Sequence, residues 1–126
     1  MFGFARSIAG WGSDEFVLRL NELRALVIQL IYHGDIEGTS RGLMVMAGTA
    51  VQGSAGYVAL EKVTAAVNGH RGSFYLQHNG IMNRGEGTLS VVVIPDSGTD
   101  ELTGLNGSLK ITIEDGKHFY DFEYTK

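Results

Sequence analysis

The stretch YVALEKVTAAVNGHRGSFYLQHNG, residues 57–80, decides the fold prediction for this chain. Apolar and polar residues alternate along most of it, which is the period of a β-strand with one buried face. The glycine-flanked segment GHRG at 69–72 interrupts the alternation and is typical of a tight turn. The stretch therefore predicts a β-hairpin with strands over residues 57–67 and 73–79.

The register of this hairpin determines which side chains share a face. Pairing Gly69 with Gly72 around a two-residue turn puts Val63 opposite His78 and places Glu61 on the diagonal from His78. We prefer this register because a shift of one residue would mix polar and apolar side chains on both faces. One face then carries Glu61, Val63, Ala65, Val67, Phe74, Leu76 and His78, and the other carries Lys62, Thr64, Tyr75 and Gln77.

The composition indicates a globular β protein. The chain has 126 residues, of which 44% are hydrophobic and 19% charged, so we expect a single domain over residues 1–126. Eighteen glycines against one proline favour many short strands joined by tight turns. Connections too short for crossover helices indicate antiparallel pairing. We predict an all-β antiparallel barrel of about eight strands with little helix; a two-sheet sandwich is the alternative.

The N-terminal third predicts its strands less clearly. Residues 2–11 alternate weakly, which indicates a peripheral first strand. Residues 13–21 begin with Ser-Asp-Glu, as many helices do, and the apolar residues after them have helical spacing, although the run that follows is rich in strand formers. We therefore expect a loop or short helical turn over 13–21, followed by a strand over 24–36.

The C-terminal third predicts strands more clearly. Residues 88–94 form an apolar run that indicates a buried strand ending at Pro95, and residues 97–107 indicate a loop with one compact turn. Asp115-Gly116 is a typical two-residue hairpin turn between two alternating strands. One face of the last predicted strand is rich in aromatic side chains: His118, Tyr120, Phe122 and Tyr124.

Charge, cysteine content and hydropathy exclude several classes of function. The net charge is −4 and the ten basic residues are scattered, which argues against nucleic acid as a partner. The chain has no cysteine, which excludes disulfides, thiolate nucleophiles and Cys-ligated zinc. The most apolar segment, residues 16–32, is too short and too charged to span a bilayer. We expect a cytoplasmic protein that does not bind membranes.

Three further residues could supply metal ligands. His33, Asp35 and Glu37 alternate along one strand face and carry imidazole and carboxylate groups. Their spacing matches no known metal motif, and two of them fall at the bend predicted near Gly34, which favours a solvated charged edge. We therefore expect no metal and no cofactor.

Glu61 and His78 are the candidate catalytic residues. A carboxylate beside an imidazole in apolar surroundings has its proton affinity adjusted by burial and by its partner, and can serve as acid and base in an isomerisation or hydration. The same two groups could instead satisfy each other inside the wall of the barrel. An eight-stranded interior can hold one small ligand. The candidate ligand-binding residues are Phe74, Leu76, His118, Tyr120 and Phe122.

Five segments resemble the motifs of a known family. They match in order and spacing across residues 34–124 and resemble an uncharacterised bacterial domain family whose barrel is described as similar to that of plant allene oxide cyclases and dirigent proteins. The segments are GDIEGTS (34–40), GYVALEKV (56–63), GHRGSFYLQHNG (69–80), PDSGTDELTGLNG (95–107) and DGKHFYDFEY (115–124).

The resemblance implies an allene-oxide-cyclase-like (calycin-like) eight-stranded antiparallel barrel and a homo-oligomer, since the plant relatives assemble as trimers. It implies no reaction, because the family has no assigned activity and fold does not determine chemistry. Two hypotheses follow. The first is a barrel that binds a small apolar oxygenated ligand and could act on it as an isomerase or cyclase. The second is a non-enzymatic oligomeric domain whose barrel is filled by side chains and which acts through its surface.

Overall fold

The computed structural model describes the backbone of residues 6–9, 16–20 and 23–126, and side chains from residue 23 onward. Over these residues the chain forms nine strand segments and one short 3-10 turn at Asp100–Leu102. The strands are β1 (Arg6–Ala9), β2 (Phe16–Leu20), β3 (Leu23–Tyr32), β4 (Ile36–Gly48), β5 (Ala55–Val67), β6 (His70–Asn83), β7 (Glu86–Val93), β8 (Asn106–Glu114) and β9 (Lys117–Thr125).

All strand segments belong to one antiparallel sheet with the order β1-β9-β8-β7-β6-β5-β4-β3-β2. The seven strands β3 to β9 follow one another as neighbours and form a curled half-barrel. The short segment β1 pairs with β9 through Arg6–Ile8 and also with β3 through Ile8 and Ala9. The prediction of an all-β antiparallel fold with almost no helix is confirmed.

The central hairpin turns two residues earlier than predicted. Val67 pairs with His70, so the turn residues are Asn68 and Gly69, with φ angles of 46° and 87°. Both residue types tolerate positive φ, which the primed hairpin turn requires, whereas His70 and Arg71 do not favour it. The turn is displaced by an even number of residues, so every side chain of the hairpin stays on its predicted face. The predicted cross-strand pairs, however, are wrong.

The helical turn predicted near residues 13–21 is wrong where the structure describes it. Residues Phe16–Leu20 form β2, which pairs with the Leu23–Leu26 end of β3. Pairing to an available strand edge outweighs the helix-like spacing of the apolar residues. Of the predicted first strand, Arg6–Ala9 is a strand, and the remainder lies outside the described residues. The strand predicted over 24–36 ends at Tyr32, and β4 begins at Ile36.

Among the side chains that the structure describes, from residue 23 onward, the large buried ones are concentrated in one half of the interior. At the end capped by the connection between β7 and β8, large buried side chains pack into one cluster that includes Phe74, Phe122 and, from the 3-10 turn, Leu102. The other half, which we call the open half, holds a small cluster around Ile28, Met44 and Ala59.

The prediction of a wholly buried strand over residues 88–94 is wrong for the first part of β7. Val91 and Val93 are buried, whereas Leu89 is 42% exposed.

Candidate functional site

Glu61 of β5 and His78 of β6 form a buried pair. Their side chains are 0% and 1% exposed, and His78 Nε2 lies 2.8 Å from Glu61 Oε1. In the observed register, Glu61 pairs with Leu76 and His78 pairs with Ala59, so the two ionisable groups lie on a diagonal as expected. Diagonal neighbours on one face of a sheet are within reach of long side chains.

Two hydroxyl groups complete the hydrogen bonding of the Glu61 carboxylate. Tyr32 of β3 donates to Glu61 Oε2 at 2.6 Å, and Ser40 of β4 donates to the same oxygen at 2.5 Å. Burial raises the pKa of Tyr32 well above its usual value, and the charge of Glu61 raises it further, so this phenol stays a donor. No buried polar side-chain atom among the described residues lacks a partner. This network therefore holds a carboxylate in the interior without an unsatisfied group.

Two glycines bring Ser40 to the carboxylate. A Cβ atom on Gly38 would lie 2.2 Å from the Thr64 carbonyl oxygen, and one on Gly42 would lie 2.2 Å from the Leu60 carbonyl oxygen. Only glycine permits β4 to approach β5 so closely at these two positions. Ser40 lies midway between them and reaches Glu61 from the adjoining strand.

Tyr57 extends the buried pair toward the open half of the interior. Its hydroxyl lies 3.4 Å from His78 Nδ1, on the side of the imidazole away from Glu61. Burial, followed by the charge of Glu61, raises the pKa of Tyr57 to about 12, so its hydroxyl is protonated at neutral pH. A carboxylate thus orients an imidazole whose second nitrogen faces a phenol.

Tyr57 was not among the residues selected from the sequence. The sequence did contain one indication of its position. Tyr57 precedes Glu61 by four residues on the same strand, and residues an even number apart on a strand share a face. That spacing does not indicate proximity to His78, which depends on the position of the turn.

An apolar cavity of about 340 Å³ lies in the open half of the interior, with Tyr57 in its wall. The pKa of His118, which also lines it, is lowered by burial, so this imidazole is neutral at neutral pH. The remaining lining residues are almost all apolar and come from β4 to β8: Met46, Ala55, Gly56, Gly80, Ile81, Met82, Gly87, Thr88, Leu89, Ile111 and Ile113.

Of the five predicted ligand-binding residues, His118 alone lines this cavity. The other four are 0% exposed within the filled half of the interior. Phe74 and Phe122 stack on one another with ring centroids 6.2 Å apart. The Tyr120 hydroxyl accepts a hydrogen bond from the Ile36 amide and contacts the turn before β4. These four side chains, Leu76 among them, therefore pack the interior.

Of the residues considered as possible metal ligands, His33 and Asp35 lie in the turn between β3 and β4, and Glu37 is the second residue of β4. His33 Nδ1 is 3.6 Å from Glu37 Oε2, and both side chains are more than half exposed. Within the part of the chain that the structure describes, no three His, Asp or Glu side chains are grouped to hold a metal ion. Over the same residues, no helix has the length and hydropathy needed to cross a membrane.

The comparisons with known proteins agree with this architecture. The family model described as "Protein of unknown function (DUF3224)" matches residues 9–124. The crystal structure of a protein of unknown function from the DUF3224 family of Shewanella oneidensis MR-1 is 39% identical, with a TM-score of 0.84 over 99% of this chain and 94% of that one. No curated protein matches the sequence. The chain belongs to the DUF3224 family, whose function is unknown.

Proposed function

We propose that this protein binds a small apolar molecule that carries a hydrogen-bond-accepting oxygen. The observation that carries the proposal is the apolar cavity of about 340 Å³ with the Tyr57 hydroxyl in its wall. Its volume falls at the lower end of the range for small-molecule sites, roughly 300–1,000 Å³, and an apolar lining with few polar groups is typical of such sites. The resemblance to allene-oxide-cyclase-like barrels supports a closed eight-stranded form, with β1 as the strand between β9 and β3.

Tyr57, rather than Glu61 or His78, is the proposed contact to the ligand. Glu61 and His78 are almost completely buried, whereas Tyr57 lines the cavity. A protonated phenol donates a hydrogen bond to a carbonyl, ether or epoxide oxygen. His78 and Glu61 hold this phenol in position from behind.

An isomerase or cyclase reaction would use the same three groups. The Tyr57 hydroxyl would give its proton to the ligand oxygen while the phenol oxygen takes the proton of His78 Nδ1, so that no free phenolate forms beside the Glu61 carboxylate. Both protons would return along the same path when the rearranged product forms. Positioned proton transfer of this kind accelerates reactions by about 10²–10⁴-fold. Binding does not depend on this step, and a pure binding protein is the simpler form of the proposal.

The alternative function acts through the outer surface of β3 to β6. Leu43 and Leu60 form a cross-strand pair there, and Val45 and Val58 form the next; all four are more than 40% exposed. A contiguous exposed apolar surface of this kind marks an interaction site. We propose that it joins copies of this chain in a homo-oligomer, which native mass spectrometry of the parent and of a Leu43→Gln/Leu60→Gln variant would test.

The ligand proposal can be tested with prodan, a fluorescent naphthyl ketone, and its propyl analogue, which lacks the carbonyl oxygen. We expect saturable binding of prodan at about one molecule per chain and weaker binding of the analogue. Tyr57→Phe removes the donor and should weaken prodan binding by roughly 5–10-fold, the equivalent of about 1 kcal/mol for one hydrogen bond. It should leave binding of the analogue unchanged.

Two variants serve as controls for this experiment. Tyr75→Phe removes a phenol from the outer face and should bind prodan like the parent. Leu43→Gln/Leu60→Gln should also retain binding, because it alters only the outer aliphatic surface. Loss of prodan binding in the latter variant, with no effect of Tyr57→Phe, would place the site on the outside and contradict the proposal. The proposed cytoplasmic location would be tested by cell fractionation.

A further inference from the structure

Strands β7 and β8 are hydrogen-bonded to each other over only two residue pairs. Val91 pairs with Leu109 and Val92 pairs with Ser108. By contrast, β7 pairs with β6 from Glu86 to Val93, and β8 pairs with β9 along its whole length. Residues 86–90 of β7 and 110–114 of β8 therefore have no ladder to each other; we call the space between them the β7–β8 slot.

Exposure of inward-pointing side chains indicates that the interior opens at this slot. On β7, Val91 is 1% exposed and Leu89, which shares its face, is 42% exposed. On β8, the exposed fraction rises from 5% at Leu109 to 63% at Ile113 on the same face. On both strands the inward face is buried at the paired residues Val91 and Leu109 and becomes exposed beyond the point where the pairing stops.

The cavity assigned to the ligand lies directly behind the slot. Leu89 on one edge and Ile111 and Ile113 on the other line it, and Tyr57 and Gly80 line its inner wall. The side chains that face the cavity from the two edges of the slot, Leu89, Ile111 and Ile113, are apolar, whereas its ionisable side chains are Tyr57 on β5 and His118 on β9. The cavity therefore changes from polar at Tyr57 to apolar at its opening.

We propose that the β7–β8 slot is the portal through which the ligand enters from the side, with its oxygen leading toward Tyr57 and an apolar tail left between the strand edges. The ligand class is thus an extended apolar molecule with one acceptor oxygen near one end. Continuing the observed register would pair Ser90 with Lys110 and Thr88 with Thr112, which would close the portal with hydrogen bonds that both edges now lack to each other. This inference rests on the proposed binding function.

A reversible cross-link across the slot tests the portal. The chain has no cysteine, so Thr88→Cys/Thr112→Cys introduces a single pair, on outward-facing positions that the continued register would bring together. Prodan is bound first, the disulfide is then formed, and free probe is removed by gel filtration. We expect the oxidised protein to retain the probe and to release it when a reductant is added. Entry of probe into the empty oxidised protein should slow by roughly tenfold or more.

A matched cross-link controls for the disulfide itself. Ser108→Cys/Glu123→Cys links two outward-facing residues that already pair within the β8–β9 ladder. It should not alter the rates of probe entry or exit. Unchanged rates in an oxidised Thr88→Cys/Thr112→Cys protein that still binds the probe would overturn the portal and leave the binding function intact. Absence of any probe binding in the parent would overturn both.

If the disulfide does not form, a second pair of variants tests whether the β7–β8 slot is the portal. Leu89→Trp places a bulky ring at the slot and should slow both entry and exit of prodan. Val92→Trp places the same ring on the outer face of the same strand and should slow neither. Equal rates in the two variants would contradict the portal.

Discussion

The aromatic ring of Tyr57 lies against Gly80 of the neighbouring strand so closely that a Cβ atom at residue 80 would be 2.3 Å from Tyr57 Cε1. The two residues pair directly across β5 and β6. The missing side chain at residue 80 thus provides the space in which the phenol reaches His78. Gly80 contributes no side chain to the cavity that it lines, so it acts on the site as a positioning residue, through Tyr57.

Gly80→Ala should therefore displace Tyr57 without altering any polar group. We expect prodan affinity to fall by about as much as in Tyr57→Phe, with a cost in unfolding free energy of about 1–3 kcal/mol for the overpacking. Gly48→Ala is the control, because residue 48 does not line the cavity and nothing lies within 4 Å of a Cβ atom placed there. Parent-like affinity in Gly80→Ala would show that the position of Tyr57 does not matter. Isothermal titration and urea unfolding measure the two quantities.

Gly42→Ala should destabilise the protein far more than Gly48→Ala on the same strand. A Cβ atom at residue 42 would meet the Leu60 carbonyl oxygen at 2.2 Å, and backbone atoms cannot rotate away, whereas nothing lies within 4 Å of a Cβ at residue 48. We expect a loss of about 2 kcal/mol or more for Gly42→Ala and a change within about 0.5 kcal/mol for Gly48→Ala. Similar urea midpoints for the two variants would contradict the close approach of β4 and β5.

Glu61→Ala should be among the most destabilising single changes in the chain. It leaves the side chains of Tyr32, Ser40 and His78 buried without their common acceptor, which costs about 3–5 kcal/mol. Glu61→Gln keeps the volume and one acceptor oxygen, so its cost should be smaller. Urea unfolding at constant pH compares the two. Equal stability of Glu61→Ala and the parent would indicate that the network is not formed in solution.

Stability should decline at high pH because two tyrosines resist ionisation in the folded state. The folded pKa of Tyr57 is about 12 and that of Tyr32 is well above its usual value, whereas both groups titrate near 10 when unfolded. Between these values the unfolded chain has released the protons that the folded chain retains. The contribution is therefore present in full below pH 10 and is lost as the pH rises toward the folded pKa values.

Tyr57→Phe isolates one part of this alkaline loss. Because its ring is half-buried, solvent reduces the effect, and we expect a shallower fall of unfolding free energy with pH than in the parent. Tyr75→Phe, on the outer face, should follow the parent. Identical alkaline slopes for Tyr57→Phe and the parent would contradict the raised pKa of Tyr57. Urea unfolding across the alkaline range, with tyrosinate absorbance as a second signal, measures these slopes.

Local sequence pattern determined the strand character and the two faces of the central hairpin. Side chains alternate between the two faces of any strand. The predicted turn differs from the observed one by two residues, an even number, so the prediction still places Glu61 and His78 on the same face as Val63 and Phe74. The turn was predicted at His70-Arg71 because glycines flank these two residues, and this prediction was wrong. The Asn68-Gly69 dipeptide was the stronger signal, since both residues accept positive φ.

The sequence pattern does not show which groups surround the Glu61 carboxylate or where the interior is open; both follow from the folded sheet. Tyr32 and Ser40 reach Glu61 from 29 and 21 residues away, and the contact between Tyr57 and His78 depends on the true register. Alternation shows that Leu89 and Ile113 point inward, but it does not show that β7 and β8 separate beside them. The physical reason is that periodicity is local, whereas the pairing and separation of strands follow from how the whole sheet curls.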